Sequence, residues 1–181
     1  MDDHDLAILY GSLVDLNLES FIDRSLTIFD DNILAIKQRA TSGGVVLKLL
    51  IKKKKTPVLL SSFGEGVNRY IAILCAIWAS RNGILLIDEI ENGIHYSNYN
   101  KLWRLINQAS EEANCQLFIT SHSKECIEAF CEEQKSESAS LWPGTYYEMY
   151  RNVKKDTITV TARDHEQLYY TLTHNGYFRG E

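Results

Sequence analysis

"ILLIDE", residues 84–89, is the stretch that settles the architecture. Four apolar residues, Ile84 to Ile87, run straight into two carboxylates, Asp88 and Glu89. A run this short and apolar at every position predicts a strand of a parallel sheet covered on both faces, because a strand with one wet face would alternate. The acids then stand at its carboxyl end, where open α/β sheets place their ligands. A third acid, Glu91, follows in "ENGIHYS", residues 91–97, with Asn92 and Gly93 directly after it.

The flanks extend the same pattern. Upstream, "EGVNRYIAILCAIWAS", residues 65–80, is long and mostly apolar, predicting a buried helix stopped by Arg81-Asn82-Gly83. Downstream, an amphipathic helix over 97–113 leads to a second buried strand, "QLFIT", residues 116–120, and then to a helix over 123–133. Helix, strand, helix, strand, helix makes a parallel α/β core. Before it, Leu6, Leu9, Tyr10 and Leu13, then Phe21, Ile22, Leu26 and Phe29, mark amphipathic helices over 5–16 and 19–30. The β-branched residues, Ser-Gly-Gly and Thr-Pro of residues 32–60 predict strands joined by turns. After the core, "EEQKSESASLWPG" predicts a polar surface loop. "TYYEMYRNV" and "TITVTAR" predict a hairpin about Lys154-Lys155-Asp156. A short helix from about Asp164 and a frayed tail complete the chain. No internal repeat is visible.

The 181 residues suffice for one domain with a core. A net charge of -5 argues against a generally basic nucleic-acid binder. The four cysteines form no Cys-x-x-Cys pair, which argues against zinc and for a reducing, cytoplasmic setting. No apolar run reaches the length of a membrane span. Lys52–Lys55 precedes Pro57 and predicts a solvated hairpin tip in preference to a nucleic-acid contact. Trp78 and Trp103 sit at helical spacing among apolar residues, as core side chains do. Alternation places Tyr146 and Tyr150 on one strand face.

Three clusters carry chemistry. An acid at the end of a buried parallel strand can hold Mg²⁺ beside a nucleotide's phosphates, and a neighbouring carboxylate can polarise the attacking water. Asp88 and Glu89 fit those two tasks; the bland alternative is a solvated strand end. "TSHS", residues 120–123, puts His122 at the tip of the neighbouring strand, where a neutral imidazole could donate to a γ-phosphate or to the attacking water. Its alternative is a helix cap by Ser121 or Ser123. "SSFGEG", residues 61–66, lies just before the buried helix, where small residues let backbone N–H groups approach a phosphate. Its alternative is a capped loop.

Taken in this order, the clusters resemble the C-terminal half of an ABC-type ATPase head, and more closely the AAA/ABC-like ATPases of the SMC, DNA-repair and OLD-type group. The resemblance spans about residues 20–175. It implies an α/β fold: a parallel-sheet P-loop NTPase core, C-terminal half, with a peripheral β-hairpin. It implies a single domain over 1–181. Residues 1–60 lead to the signature loop, 61–133 form the motif-bearing core, and 134–181 form the loop, hairpin and tail. It implies that Ser62, Gly64, Glu65 and Gly66 form the signature loop and Asp88 is the Walker B metal ligand. Glu89 would be the catalytic base, Asn92 and Gly93 the D-loop, and His122 the switch histidine. ATP and Mg²⁺ are the implied cofactors. A P-loop-bearing half and a head-to-head dimer are the implied partners.

One element of that family is missing. No G-x-x-x-x-G-K-[ST] occurs, and Gly43-Gly44 is followed by Val-Val-Leu-Lys. A split gene's second half, a truncated remnant and an excerpt all remain open, and weak ATP binding by this chain alone is expected. A non-catalytic remnant acting as a protein- or nucleic-acid-interaction module is the alternative to an ATPase. Joint retention of Asp88, Glu89 and His122 favours the enzyme. A nuclease is disfavoured, because no acidic toprim-like segment follows His122. DNA maintenance, phage defence and transport coupling all use such heads.

Overall fold

The computed structural model of the chain describes residues 3–135, 144–152, 154 and 156–174. Much of the expected polar loop and the expected tail lie outside the described residues. The chain divides into two compact units, Met1–Thr120 and Ser121–Glu181.

In the first unit, helices α1 (Asp3–Val14) and α2 (Glu19–Phe29) precede strands β1 (Ile33–Thr41), β2 (Gly44–Ile51) and β3 (Val58–Leu59). The three strands form an antiparallel sheet in the order β1-β2-β3. Thr41 pairs with Gly44 across the first turn. Gly44 has φ +115°, a conformation that glycine adopts without penalty. The lysine run is exposed beyond β2, with Lys52 3.9 Å from Asp31.

Helix α3 (Glu65–Ala79) is the centre of this unit. Val67, Tyr70, Ile71, Ile73, Leu74, Cys75, Ile77 and Trp78 are all buried, so it is covered on nearly every side. A helix apolar all round is stable in water only as a core element. Tyr70 stacks on Phe29 of α2, centroids 4.3 Å apart, and Trp78 meets Phe21 edge-on at 5.7 Å. Tyr10 of α1 donates its hydroxyl to the Ile36 carbonyl at 3.2 Å, joining helix to sheet.

Strand β4 (Ile84–Ile87), helix α4 (Tyr99–Glu112) and strand β5 (Gln116–Ile119) follow. β4 and β5 pair in parallel, Ile84 opposite Gln116 through Ile87 opposite Ile119. The register is pinned before the strands begin. Asn82 N–H donates to the Ala113 carbonyl, Gln116 N–H donates to the Gly83 carbonyl, and the Asn114 and Asn82 amides bond at 3.0 Å. Here the structure corrects an expectation. The apolar run predicts a strand covered on both faces, yet Ile84, Leu86 and Phe118 are 58%, 78% and 51% exposed. Period-2 geometry puts Leu86 and Phe118 opposite each other on that open face, while Ile87 turns inward.

The second unit holds α5 (Lys124–Glu133), β6 (Tyr146–Asn152), β7 (Thr157–Arg163) and α6 (His165–Thr173). Its core is small: Ile127, Cys131, Leu168 and Leu172, with Phe130 and Tyr146 against them. β6 and β7 form the expected antiparallel hairpin. Asp164 and Gln167 close a reciprocal capping box on α6.

Burial pushes the Cys75 thiol from its ordinary 9.0 up to about 12. The folded value exceeds the unfolded one, so this contribution to stability is intact below about pH 9 and is lost as pH rises towards about 12. Burial also raises the phenols of Tyr10 and Tyr70, which act in the same direction. Urea unfolding at rising pH should therefore show falling stability over that window, with a shallower fall in Cys75→Ala. An unchanged slope in the variant would show that Cys75 does not contribute.

Candidate functional site

The site grows from the carboxyl end of β4. Ile87 is buried, Asp88 and Glu89 are exposed, and Ile90 is buried again. The chain reverses between two inward anchors, Ile90 and Ile94, which are 0% and 5% exposed. Glu89 has φ +47° and Gly93 φ +76°, both left-handed. Asn92 N–H donates to the Glu89 carbonyl and Ile94 N–H to the Glu91 carbonyl, each at 3.0 Å. The left-handed conformation is uncommon for a residue with a β-carbon and costs about 1 kcal/mol or more.

Two residues distant in sequence hold this turn. Arg69 of α3 donates from its guanidinium to the Asp88 carbonyl at 2.8 Å and the Glu89 carbonyl at 3.3 Å. Thr120, next after β5, accepts from the Glu89 N–H at 2.9 Å and donates to the Asp88 carboxylate through the same hydroxyl. Neither was singled out from the sequence. Arg69 is the one charged residue in the otherwise mostly apolar stretch from Val67 to Ala79. Thr120 is the polar residue that closes the "QLFI" run.

The loop before α3 forms a second cluster. Ser62 is exposed and donates its hydroxyl to the Leu59 carbonyl at 2.8 Å. Gly64 has φ +119° and begins α3 with no side-chain cap. The Asn68 amide donates to the Gly64 carbonyl at 2.9 Å. Gly66 lies against the turn after β4: a β-carbon on it would sit 2.9 Å from the Gly93 carbonyl oxygen. A β-carbon on Gly93 would sit 3.0 Å from Cγ of Glu65. Gly64, Gly66, Gly93, His95, Asn98 and Lys101 help line a cleft of about 440 Å³. Lys101 donates to the Phe29 carbonyl at 3.2 Å at this cleft.

Of the residues proposed from the sequence, Gly64, Gly66 and Gly93 therefore share one cleft wall, with Glu65 packed between them. Asn92 is exposed in the adjoining turn. Asp88 and Glu89 do not line this cleft, although Arg69 ties their backbone to the same helix. His122 belongs to the second unit and is exposed there. It directly precedes Ser123, the N-cap of α5, whose hydroxyl accepts from Cys126 N–H at 3.2 Å. The cap thus falls to Ser123.

Among the described residues, no group of three or more His, Cys, Asp or Glu side chains gathers as a metal cage. The Asp88 carboxylate, exposed and adjacent to a second carboxylate, fits the habit of Mg²⁺, which takes one or two protein carboxylates and completes its shell with water and phosphate oxygens. The uncapped start of the 15-residue α3, opening between glycines, fits a phosphate group.

Comparison with known proteins follows the same outline. The family described as "AAA domain, putative AbiEii toxin, Type IV TA system" matches residues 9–128. An "ATP/GTP phosphatase" of Helicobacter pylori is 38% identical over 115 residues, which are 61% of this chain and 30% of that protein. The chain thus matches under a third of that relative's length. A chain from a structural study of ATP-driven dimerisation and DNA-stimulated activation of SMC ATPases is similar over 92% of this chain and 99% of its own. The TM-score is 0.59 and the identity 11%. An Smc head bound to the C-terminal winged-helix domain of ScpA is similar over 94% of this chain and 53% of its own, with TM-score 0.58 and 11% identity. The Smc head with a coiled coil and joint from Pyrococcus yayanosii is similar over 88% and 29%, with TM-score 0.55 and 11% identity. These structures share the α/β fold of P-loop NTPases. No helix among the described residues is long and apolar enough to cross a membrane.

The Gly66–Gly93 contact yields a direct expectation. Gly66→Ala should cost about 1–3 kcal/mol, because the opposing atom is a backbone carbonyl and cannot rotate away. Gly64→Ala meets no neighbour within 4 Å and is strained only through its φ of +119°. Urea unfolding of both variants checks this; a Gly66→Ala protein as stable as the parent would show that the contact is not tight.

Proposed function

This chain belongs to the AAA domain family matched over residues 9–128, and we propose that it supplies one part of an ATP-hydrolysing head. In this reading Gly64, Glu65 and Gly66, with Ser62, form the signature loop. Asp88 and Glu89 are the Walker B acids, Asn92 and Gly93 the D-loop, and His122 the switch histidine. The observation that carries it is the acid pair itself: two exposed carboxylates at the carboxyl end of a parallel strand, held in a fixed left-handed turn. A solvated strand end needs no such turn.

Asp88 would hold Mg²⁺, which when bound neutralises phosphate charge. Glu89 would orient and deprotonate the attacking water. Ser62 and the N–H groups at the start of α3 would meet the γ-phosphate held by a second head. That assignment in trans agrees with Asp88 and Glu89 lying off the glycine-lined cleft. The P-loop would come from another polypeptide segment, since none occurs in the 181 residues. The open face at Ile84, Leu86 and Phe118 supports this. Two parallel strands are too few to stand alone, and such sheets are covered on both faces. The relative's designation as an ATP/GTP phosphatase supports nucleotide hydrolysis as the reaction. DNA maintenance or phage defence is the work such a head would drive in a cytoplasmic setting.

Calorimetry of this chain alone with Mg-ATP should give millimolar affinity or none, because a P-loop supplies much of the phosphate contact. In the head completed by a P-loop half, Glu89→Gln should keep ATP binding and lower turnover by about 10²–10⁴, the usual worth of a general base. Wild-type turnover in that variant would remove Glu89 from the mechanism.

A further inference from the structure

Thr120 touches four consecutive residues of the acid-bearing turn. Its N–H donates to the Ile87 carbonyl at 2.9 Å, continuing the parallel ladder one residue past β5. Its carbonyl accepts from Ile90 N–H at 3.2 Å. Between these, its hydroxyl accepts from Glu89 N–H at 2.9 Å and donates to Oδ1 of Asp88. Backbone bonds on both sides fix the Cα of Thr120, so the hydroxyl stands on a rigid post. A hydroxyl has one proton to donate and lone pairs to accept with, and here both capacities are spent on the acid pair.

We propose that Thr120 is a positioning residue that sets the geometry of Asp88 and Glu89 together. One hydroxyl ties the carboxylate of the first acid to the main chain of the second, so neither can rotate without loosening the other. Donation to Oδ1 directs the Asp88 carboxylate and leaves Oδ2 as the oxygen available to a divalent cation. Acceptance from Glu89 N–H holds that residue in its left-handed conformation, which sets where its side chain projects. Arg69 holds the two carbonyls of the same pair, so the turn is gripped by a side chain from α3 and another from beyond β5. The proposal rests on the reading of Asp88 and Glu89 as catalytic acids. It adds a residue that neither touches nucleotide nor exchanges a proton with it.

The test uses Thr120→Val, which keeps the branched shape but can neither donate nor accept, and Thr120→Ser, which keeps the hydroxyl. In the 181-residue chain alone, hydrogen exchange of the Glu89 amide should quicken about 3- to 10-fold in Thr120→Val, the equivalent of one lost hydrogen bond, and return to the parent rate in Thr120→Ser. In the head completed by its P-loop half, Thr120→Val should lower kcat by about 10², the cost of a small misplacement of reacting groups, while KM for ATP stays nearly constant. Thr120→Ser should restore kcat. If Thr120→Val turns over ATP at the parent rate while Glu89→Gln does not, the positioning role is wrong and the catalytic reading stands. If Glu89→Gln turns over normally, the catalytic reading falls and takes this proposal with it. If Thr120→Ser is as impaired as Thr120→Val, the methyl group is what matters, and the proposal is overturned. Should Thr120→Val fail to fold, Thr120→Ala takes its place with the same expected outcomes.

Discussion

The carbonyl of Gly93 lies so close to Gly66 that a β-carbon there would approach it to 2.9 Å. This backbone contact seats the first turn of α3 against the turn after β4. Further along the helix, Tyr70, Leu74 and Ile77 are each fully buried. Three features of the unit depend on that seat. Gly64 opens the helix onto the cleft, Arg69 arrives one turn later at the Asp88 and Glu89 carbonyls, and Tyr70 stacks under Phe29.

That seat also explains why the turn after β4 tolerates a strained residue. Glu89 adopts a left-handed conformation that side chains with a β-carbon seldom take. Local strain persists only where surroundings over-determine it. Here Ile90 and Ile94 are sunk in the core on one side, Arg69 draws on two carbonyls, and Thr120 occupies the amide. The carboxylates are thereby fixed at the backbone while remaining exposed.

Much of this architecture is written in the sequence. Ile84 to Ile87 is the strand that its apolar run implies, and Gln116 to Ile119 is its neighbour, because short apolar runs bounded by polar residues leave few other readings. The start of α3 follows from Gly64, and α4 stops just before Asn114, which is left-handed at φ +49°. The Ser123 cap and the Asp164 capping box are local and legible in the same way. The fold class and its family resemblance were carried by the order of three clusters. What the sequence did not disclose is non-local. Thr120 reaches the acids through the register of a parallel pair, 31 residues from Glu89. Gly66 meets Gly93 because two turns are pressed together, and no pattern of spacing encodes that. The open face at Leu86 and Phe118 also escapes pattern reading, since an apolar strand looks the same whether or not its cover is present.

The arrangement of the two clusters bears on how the proposed head would work. Both are anchored to α3, the glycine cleft through its N-terminus and the acid pair through Arg69 on its second turn. Yet the acids do not line the cleft. Under the proposed assignment in trans, the glycine cleft and the acid pair would serve different phosphates, so no shared wall is needed.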